Sequence, residues 1–324
     1  MPVNTLDEQL VKYLADAHSI EEQALAQLRD APKIAGDPQL ERIFAAHLTE
    51  TERHERLMRE RLEAHGAEPS RFKKTVMAAG GKGFAAFAAA QPDTPGKLVT
   101  HAYSYEALEE GSYEMLMRVA ERAGDTGTVE AARSICGEEQ AMKARLAGAF
   151  DIAAAASLRD LAPGDITAQL TKYLADAHAI EEQATALLKG GLKVVDDPEL
   201  KRLFDEHLSE TKHHTERVEQ RLEALEGKPS KLKDLALKMG GLNWGGFFSA
   251  HPDTPGKLVC FAYAFEHLEI GGYEMLERVA QRAGDEATVA MAQEILADER
   301  AAAERLSGAF THGAELALQE QGVA

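Results

Sequence analysis

Glu106 and Glu109 stand three residues apart inside an apolar helical stripe, Leu98, Ala102, Glu106, Glu109, Ser112, Leu116 and Val119. Residues three or four apart share a helix face, so both carboxylates point where the chain should be dry. The pair returns as Glu266 and Glu269, within Phe265-Glu266-His267-Leu268-Glu269. An unpaired buried carboxylate is costly, so the stripe requires a compensating cation. A metal ion is one such cation. The competing explanation is a charged helix edge whose carboxylates pair with Arg or Lys.

The other helical segments carry the same anomaly. Glu21 interrupts Leu10, Leu14, Ala17, Leu25 and Leu28; Glu139 interrupts Val129, Ala132, Cys136, Met142, Leu146 and Phe150. Between them, Ile43, His47, Glu50, His54 and Leu57 form a stripe with three polar members. In antiparallel hairpins, residues equally far from a turn lie at equal height. Glu21, Glu50, Glu106, Glu109 and Glu139 are therefore expected to converge in mid-bundle, with His54 one turn from Glu50. The second half repeats the set as Glu181, Glu210, His214, Glu266, Glu269 and Glu299. So many carboxylates cannot share a dry core without cations. Carboxylates with one or two imidazoles suit a pair of iron or manganese ions, and zinc less well. His47 and His207 are expected to support the ligands from one step further out, ahead of His18 and His178. Arg53, Arg133 and Lys143 are the alternative partners, but Gln293 and Ala303 replace the last two in the second half. Tyr13, Tyr105 and Tyr113 could hydrogen-bond ligands; Cys136, which becomes Leu296, reads as packing.

The elements that must hold these residues are written twice. A shift of 160 residues superimposes YLADAHSIEEQ at Tyr13 on YLADAHAIEEQ at Tyr173, and PDTPGKLV at Pro92 on the same string at Pro252. Two domains, 1–160 and 161–324, are expected, joined at Leu161-Ala162-Pro163-Gly164, a helix stop and restart. Each half reads as four helices. In the first half, Thr5 with Glu8, Asp37-Pro38, Thr94-Pro95 and Asp125 mark the starts, while Gly66 and Gly124 mark stops. Ala153–Ala156 is read as an extension of the fourth helix, with no fifth helix after it. Short links make antiparallel hairpins of the first and last pairs. The stretch from Gly66 to Asp93 is a long crossover. It carries Phe72, Val76, Met77, Phe84 and Phe87, is broken by Gly80-Gly81, and reads as a short helix capping the bundle.

Composition narrows the function. The chain has 324 residues, 44% apolar and 28% charged, as in ordinary soluble proteins. A net charge of −18 argues against sequence-independent nucleic-acid binding. The first residues lack a signal pattern, and no apolar run reaches membrane-spanning length. The two cysteines, Cys136 and Cys260, occupy non-equivalent places and imply no disulfide framework, which fits a reducing cytoplasm.

Four short motifs in order resemble the ferritin-like superfamily, in particular the bacterial stress-associated YciE/YciF type. They are Ile20-Glu21-Glu22-Gln23, His47-Leu48-Thr49-Glu50-Thr51, Glu106-Ala107-Leu108-Glu109 and Gly137-Glu138-Glu139, with Glu266-His267-Leu268-Glu269 and Asp298-Glu299 closer still. The resemblance implies an all-α chain of two tandem ferritin-like four-helix bundles. Each would hold two iron or manganese ions, as in rubrerythrin without its rubredoxin part. The chain departs from the usual superfamily pattern: three residues after Glu50 comes Arg53 rather than His, and Met142 and Ala302 occupy the histidine position of the fourth helix. Three activities follow as expectations. One is a dinuclear oxidase or peroxidase acting on O2 or peroxide. Another is an iron-binding stress protein without turnover. The third is a structural bundle with a relict site. The duplication also suggests a homodimer or a pseudo-dimer within the chain.

Overall fold

The computed structural model describes residues 5–69, 94–227 and 253–323; the apolar and glycine residues of the crossover, Phe72 to Phe87 with their counterparts, lie outside them. All regular elements among the described residues are helical. They are α1 (Leu6–Leu28), α2 (Ala31–Ile34), α3 (Pro38–Ala64), α4 (Thr94–Ala123), α5 (Thr126–Ala147) and α6 (Phe150–Leu158). A 3-10 turn at Pro163–Asp165 leads to α7 (Ile166–Val194), α8 (Pro198–Ala224), α9 (Thr254–Ala283), α10 (Glu286–Gly308) and α11 (Phe310–Glu320).

The caps expected at Thr5, Asp37 and Asp125 form. Thr5 Oγ1 accepts from Glu8 N at 3.2 Å, and Asp37 Oδ1 from Gln39 N at 2.7 Å ahead of Pro38. Asp125 and Asp285 accept from Thr128 N and Thr288 N at 3.1 and 3.2 Å. Gly124 and Gly284 stop α4 and α9 with φ of +70°, a left-handed conformation that a side chain would strain. Asp125 also receives Arg61 Nη2 at 2.7 Å, tying the end of α3 to the start of α5; Arg221 and Asp285 repeat this at 2.7 Å.

In the first unit α1 packs on α3 and α4, and α5 packs on α4 and α3, closing a four-helix bundle. The second unit repeats the arrangement with α7, α8, α9 and α10. Cross-links give the directions. His101 and Tyr113 of α4 meet Gln27 and Glu21 of α1, the later residue of one helix against the earlier residue of the other, so these helices are antiparallel. The core is aliphatic and aromatic, with Leu10, Leu14, Phe44, Met58, Leu116 and Leu146 wholly buried.

One expectation needs correction. Ala153–Ala156 does not prolong α5. The chain breaks at Gly148-Ala149 and a separate fifth helix, α6, follows, with the Phe150 ring edge-on to Tyr103 at 5.6 Å and Ser157 Oγ accepting from Gly96 N at 2.9 Å. The compact units also differ from the sequence halves at the C-terminus. Residues up to Ser157 group with those from Phe310 onward, and Leu158–Ala309 form the other unit. Within the first unit α11 packs on α4, burying Phe310, Ala314, Ala317 and Leu318, with Glu315 3.7 Å from Arg122. No described helix is long and apolar enough to cross a membrane.

Candidate metal centre

The inward carboxylates of the first bundle meet in two overlapping groups. His47, Glu106, Glu109 and Glu139 form one; Glu21, His54 and Glu139 form the other. In each group one ligand atom per residue lies within 4.8 Å of the rest. Glu139 belongs to both. His47 Nε2 is 3.1 Å from Glu106 Oε1 and 3.7 Å from Glu139 Oε2. His54 Nδ1 is 2.7 Å from Glu139 Oε1 and 3.9 Å from Glu21 Oε2. The second bundle repeats both groups with His207, Glu266, Glu269 and Glu299, and with Glu181, His214 and Glu299. There His207 Nε2 lies 2.7 Å from Glu266, and His214 Nδ1 lies 2.9 Å from Glu299.

Outer partners orient these ligands. Tyr113 donates to Glu21, and Tyr273 donates to Glu181 at 2.5 Å. His54 Nε2 meets Glu138 at 2.9 Å, and His214 Nε2 meets Asp298 at 3.3 Å. His47 Nδ1 donates to Glu50 at 3.1 Å, and His207 Nδ1 to Glu210 at 3.2 Å. Such partners set which ring nitrogen faces the centre.

Glu50 and Glu210 are therefore not among the convergent groups, and His47 and His207, expected one step out, point a nitrogen into them. The reason is helix phase. The buried column of α3 runs Leu40, Phe44, His47, Thr51, His54, Met58 and Leu62, not Ile43, Glu50 and Leu57. His47 and His54 are seven residues apart, about 20° off a common line, whereas Glu50 sits about 60° to the side of His47. Glu50 instead reaches Arg145 Nη2 at 2.7 Å. The hydrogen bond from His47, with Arg145, holds its pKa near 2. The seven-residue spacing of the two histidines was the signal for this arrangement.

The alternative basic partners are engaged elsewhere: Arg53 with Glu138, Lys143 with Glu110, and Arg133 with Glu121 at 3.9 Å. No Lys or Arg of these three reaches the inward carboxylates, which are left with His47, His54, Tyr113 and one another. Burial and the charge of Glu139 raise Glu21 to about 8, and burial raises Glu139 to about 7. Burial pushes Glu109 and Glu269 well up, Glu139 and Glu299 adding to it. Burial opposes a charged His54, but the neighbouring Glu139 and Glu21 outweigh it and raise this group to about 9. Both oxygens of Glu109 and both of Glu269 are buried without a hydrogen-bond partner. Such groups are rare unless something binds them. A carboxylate-rich set with two imidazoles could hold metal ions, and these residues are the ones that would do so.

His18 lies outside this set. It meets Glu55 at 3.0 Å, with Glu22 beside them, while Arg59 Nε also reaches Glu55 at 3.2 Å. His178 meets Glu219 at 3.1 Å.

A family described as a domain of unknown function, DUF892, matches residues 5–159 and again residues 166–319. No solved structure matches the chain. With both bundles covered almost from end to end, the chain belongs to the DUF892 family and carries its domain twice.

Proposed function

We propose that each bundle holds two iron or manganese ions, and that the protein is a ferritin-like dinuclear metal protein of the oxidase or peroxidase type, akin to the YciE/YciF group. The observation that carries this reading is the pairing of an orphaned carboxylate, Glu109 or Glu269, with a glutamate shared by two ligand groups. In this reading His47, Glu106, Glu109 and Glu139 take one ion, and Glu21, His54 and Glu139 the other. Glu50 and Glu138 orient the imidazoles, and Tyr113 fixes Glu21. The bound ions would supply Lewis acidity and electrons toward O2 or peroxide. The buried thiols of Cys136 and Cys260 agree with a cytoplasmic setting.

A second reading, metal binding without turnover, draws support from burial. Glu21, Glu106, Glu109, Glu139, His47 and His54 are each 3% exposed or less. Metal content by mass spectrometry tests both readings. The full chain is expected to retain two metals per bundle after desalting, and Glu106→Ala/Glu266→Ala to lose them. Metal near zero in the unaltered protein would sink both. Peroxide-dependent turnover of the loaded protein then separates them.

A further inference from the structure

Beside Glu106 in the first bundle is a cavity of about 20 Å3, walled by Gln27, Phe44, Leu98, His101, Tyr105 and Glu106 among others. That volume holds a water-sized molecule. Its polar groups run inward from a partly exposed residue, His101, whose Nε2 donates to Gln27 Oε1 at 3.0 Å. Gln27 is 9% exposed, and its amide nitrogen is buried with no hydrogen-bond partner. A buried N–H left unmade costs about 1–3 kcal/mol, so the cavity wants an acceptor atom there. Tyr105 donates to Ile20 O at 3.1 Å and keeps its own lone pairs.

The second bundle supplies an internal control. Its residues at the positions of Gln27, His101 and Tyr105 are Leu187, Phe261 and Phe265. The space near Ala31 also changes: Gly191 stands there, and Leu258 Cδ2 lies 2.8 Å from where a Cβ would be. The metal-binding set is repeated while the wall beside it loses every hydrogen-bonding side chain at these three positions.

We propose that this cavity is a binding site in the first bundle for a water molecule that hydrogen peroxide, a neutral hydrogen-bonding molecule of two heavy atoms, can replace, presented to Glu106. The second bundle is walled against such molecules, so the two halves differ in access to reactant. The inference rests on the dinuclear reading for its purpose but not for its test. An anion is disfavoured by the Glu106 carboxylate. A hydrated cation is disfavoured by the apolar remainder of the wall, which cannot replace its water.

The test is crystallographic, on the full chain freed of metal, with and without a hydrogen peroxide soak. One ordered water is expected within hydrogen-bond distance of Gln27 Nε2, replaced by peroxide on soaking, with no ordered molecule beside Leu187. Gln27→Leu/His101→Phe, which copies residues the second bundle already tolerates, should empty the cavity while metal content stays at the unaltered level. Leu187→Gln/Phe261→His should create the second site. An empty cavity in the unaltered protein, equal occupancy in both bundles, or a water that peroxide never replaces would overturn the proposal. Since metal content is read separately, failure of the dinuclear reading and failure of this site are distinguishable.

Discussion

The two bundles keep their buried acids and change what surrounds them. On the outer side of α4 the first bundle buries an ion pair, Lys143 with Glu110; the second has Ala303 and Ile270 at these positions. That exchange is what physics allows, because a buried ion pair can give way to apolar packing at little cost. The inner face shows no such exchange. Glu21, Glu106, Glu109, Glu139, His47 and His54 all have identical counterparts, although all four of those acids in each bundle lack a hydrogen-bond partner for at least one oxygen at no gain to packing. The contrast separates charges that serve the fold from charges that the fold accommodates at its own cost.

The comparison breaks most sharply at the shared glutamate. Glu139→Ala should remove both metals of the first bundle and leave those of the second, halving metal content; Glu139→Ala/Glu299→Ala should bring it close to zero by mass spectrometry. Loss from both bundles after the single change would show that they are not independent.

Acid–base linkage gives the next effect. Glu21 and Glu181 ionise near pH 8 in the folded metal-free chain, against 4.5 when unperturbed. Between those values the folded state binds more protons than the unfolded, so metal-free stability falls as pH rises from about 4.5 and the penalty is complete above about 8. His54 and His214, raised to about 9, act in the same direction from 6.5 upward. Thermal melts of chelator-treated protein at pH 5.5 and 8.5 should show the lower Tm at 8.5, with added metal reducing the gap. A flat profile would count against an uncompensated acid cluster.

A smaller effect is expected outside the groups. Glu50→Gln or Glu210→Gln should weaken metal binding about 10- to 100-fold rather than abolish it, as loss of an orienting partner does, in competition titrations with a chelator. Smaller again is the outer ion pair. Lys143→Ala should cost about 1–3 kcal/mol by leaving Glu110 without its cation, and Lys143→Ala/Glu110→Ile should recover most of that in denaturant unfolding.

Much of this was legible in the residues because the helices are long and strongly patterned. The stripe of α1 is buried as read, from Leu10 to Leu28 with Glu21 at 0% exposure. On α3 the pattern misled by one column: polar residues hold the three middle inward positions of seven, so Ile43 and Leu57 drew the stripe away from Phe44 and Met58. A face made of His47, Thr51 and His54 has little apolar contrast for periodicity to detect. The break between α5 and α6 was hidden for the opposite reason. Alanine continues a helix on propensity alone, and only packing against α4 decides that the chain turns.

The grouping of α11 with the first unit has a consequence for synthesis. That unit is encoded at both ends of a chain longer than 300 residues, so it cannot be completed as soon as its first helices emerge from the ribosome. The face of α4 that α11 covers stays exposed while the whole second unit is made. An interval of that kind is when nascent multidomain chains are most prone to associate with one another. α11, made after the other unit, thus decides when the bundle it covers becomes safe from its neighbours.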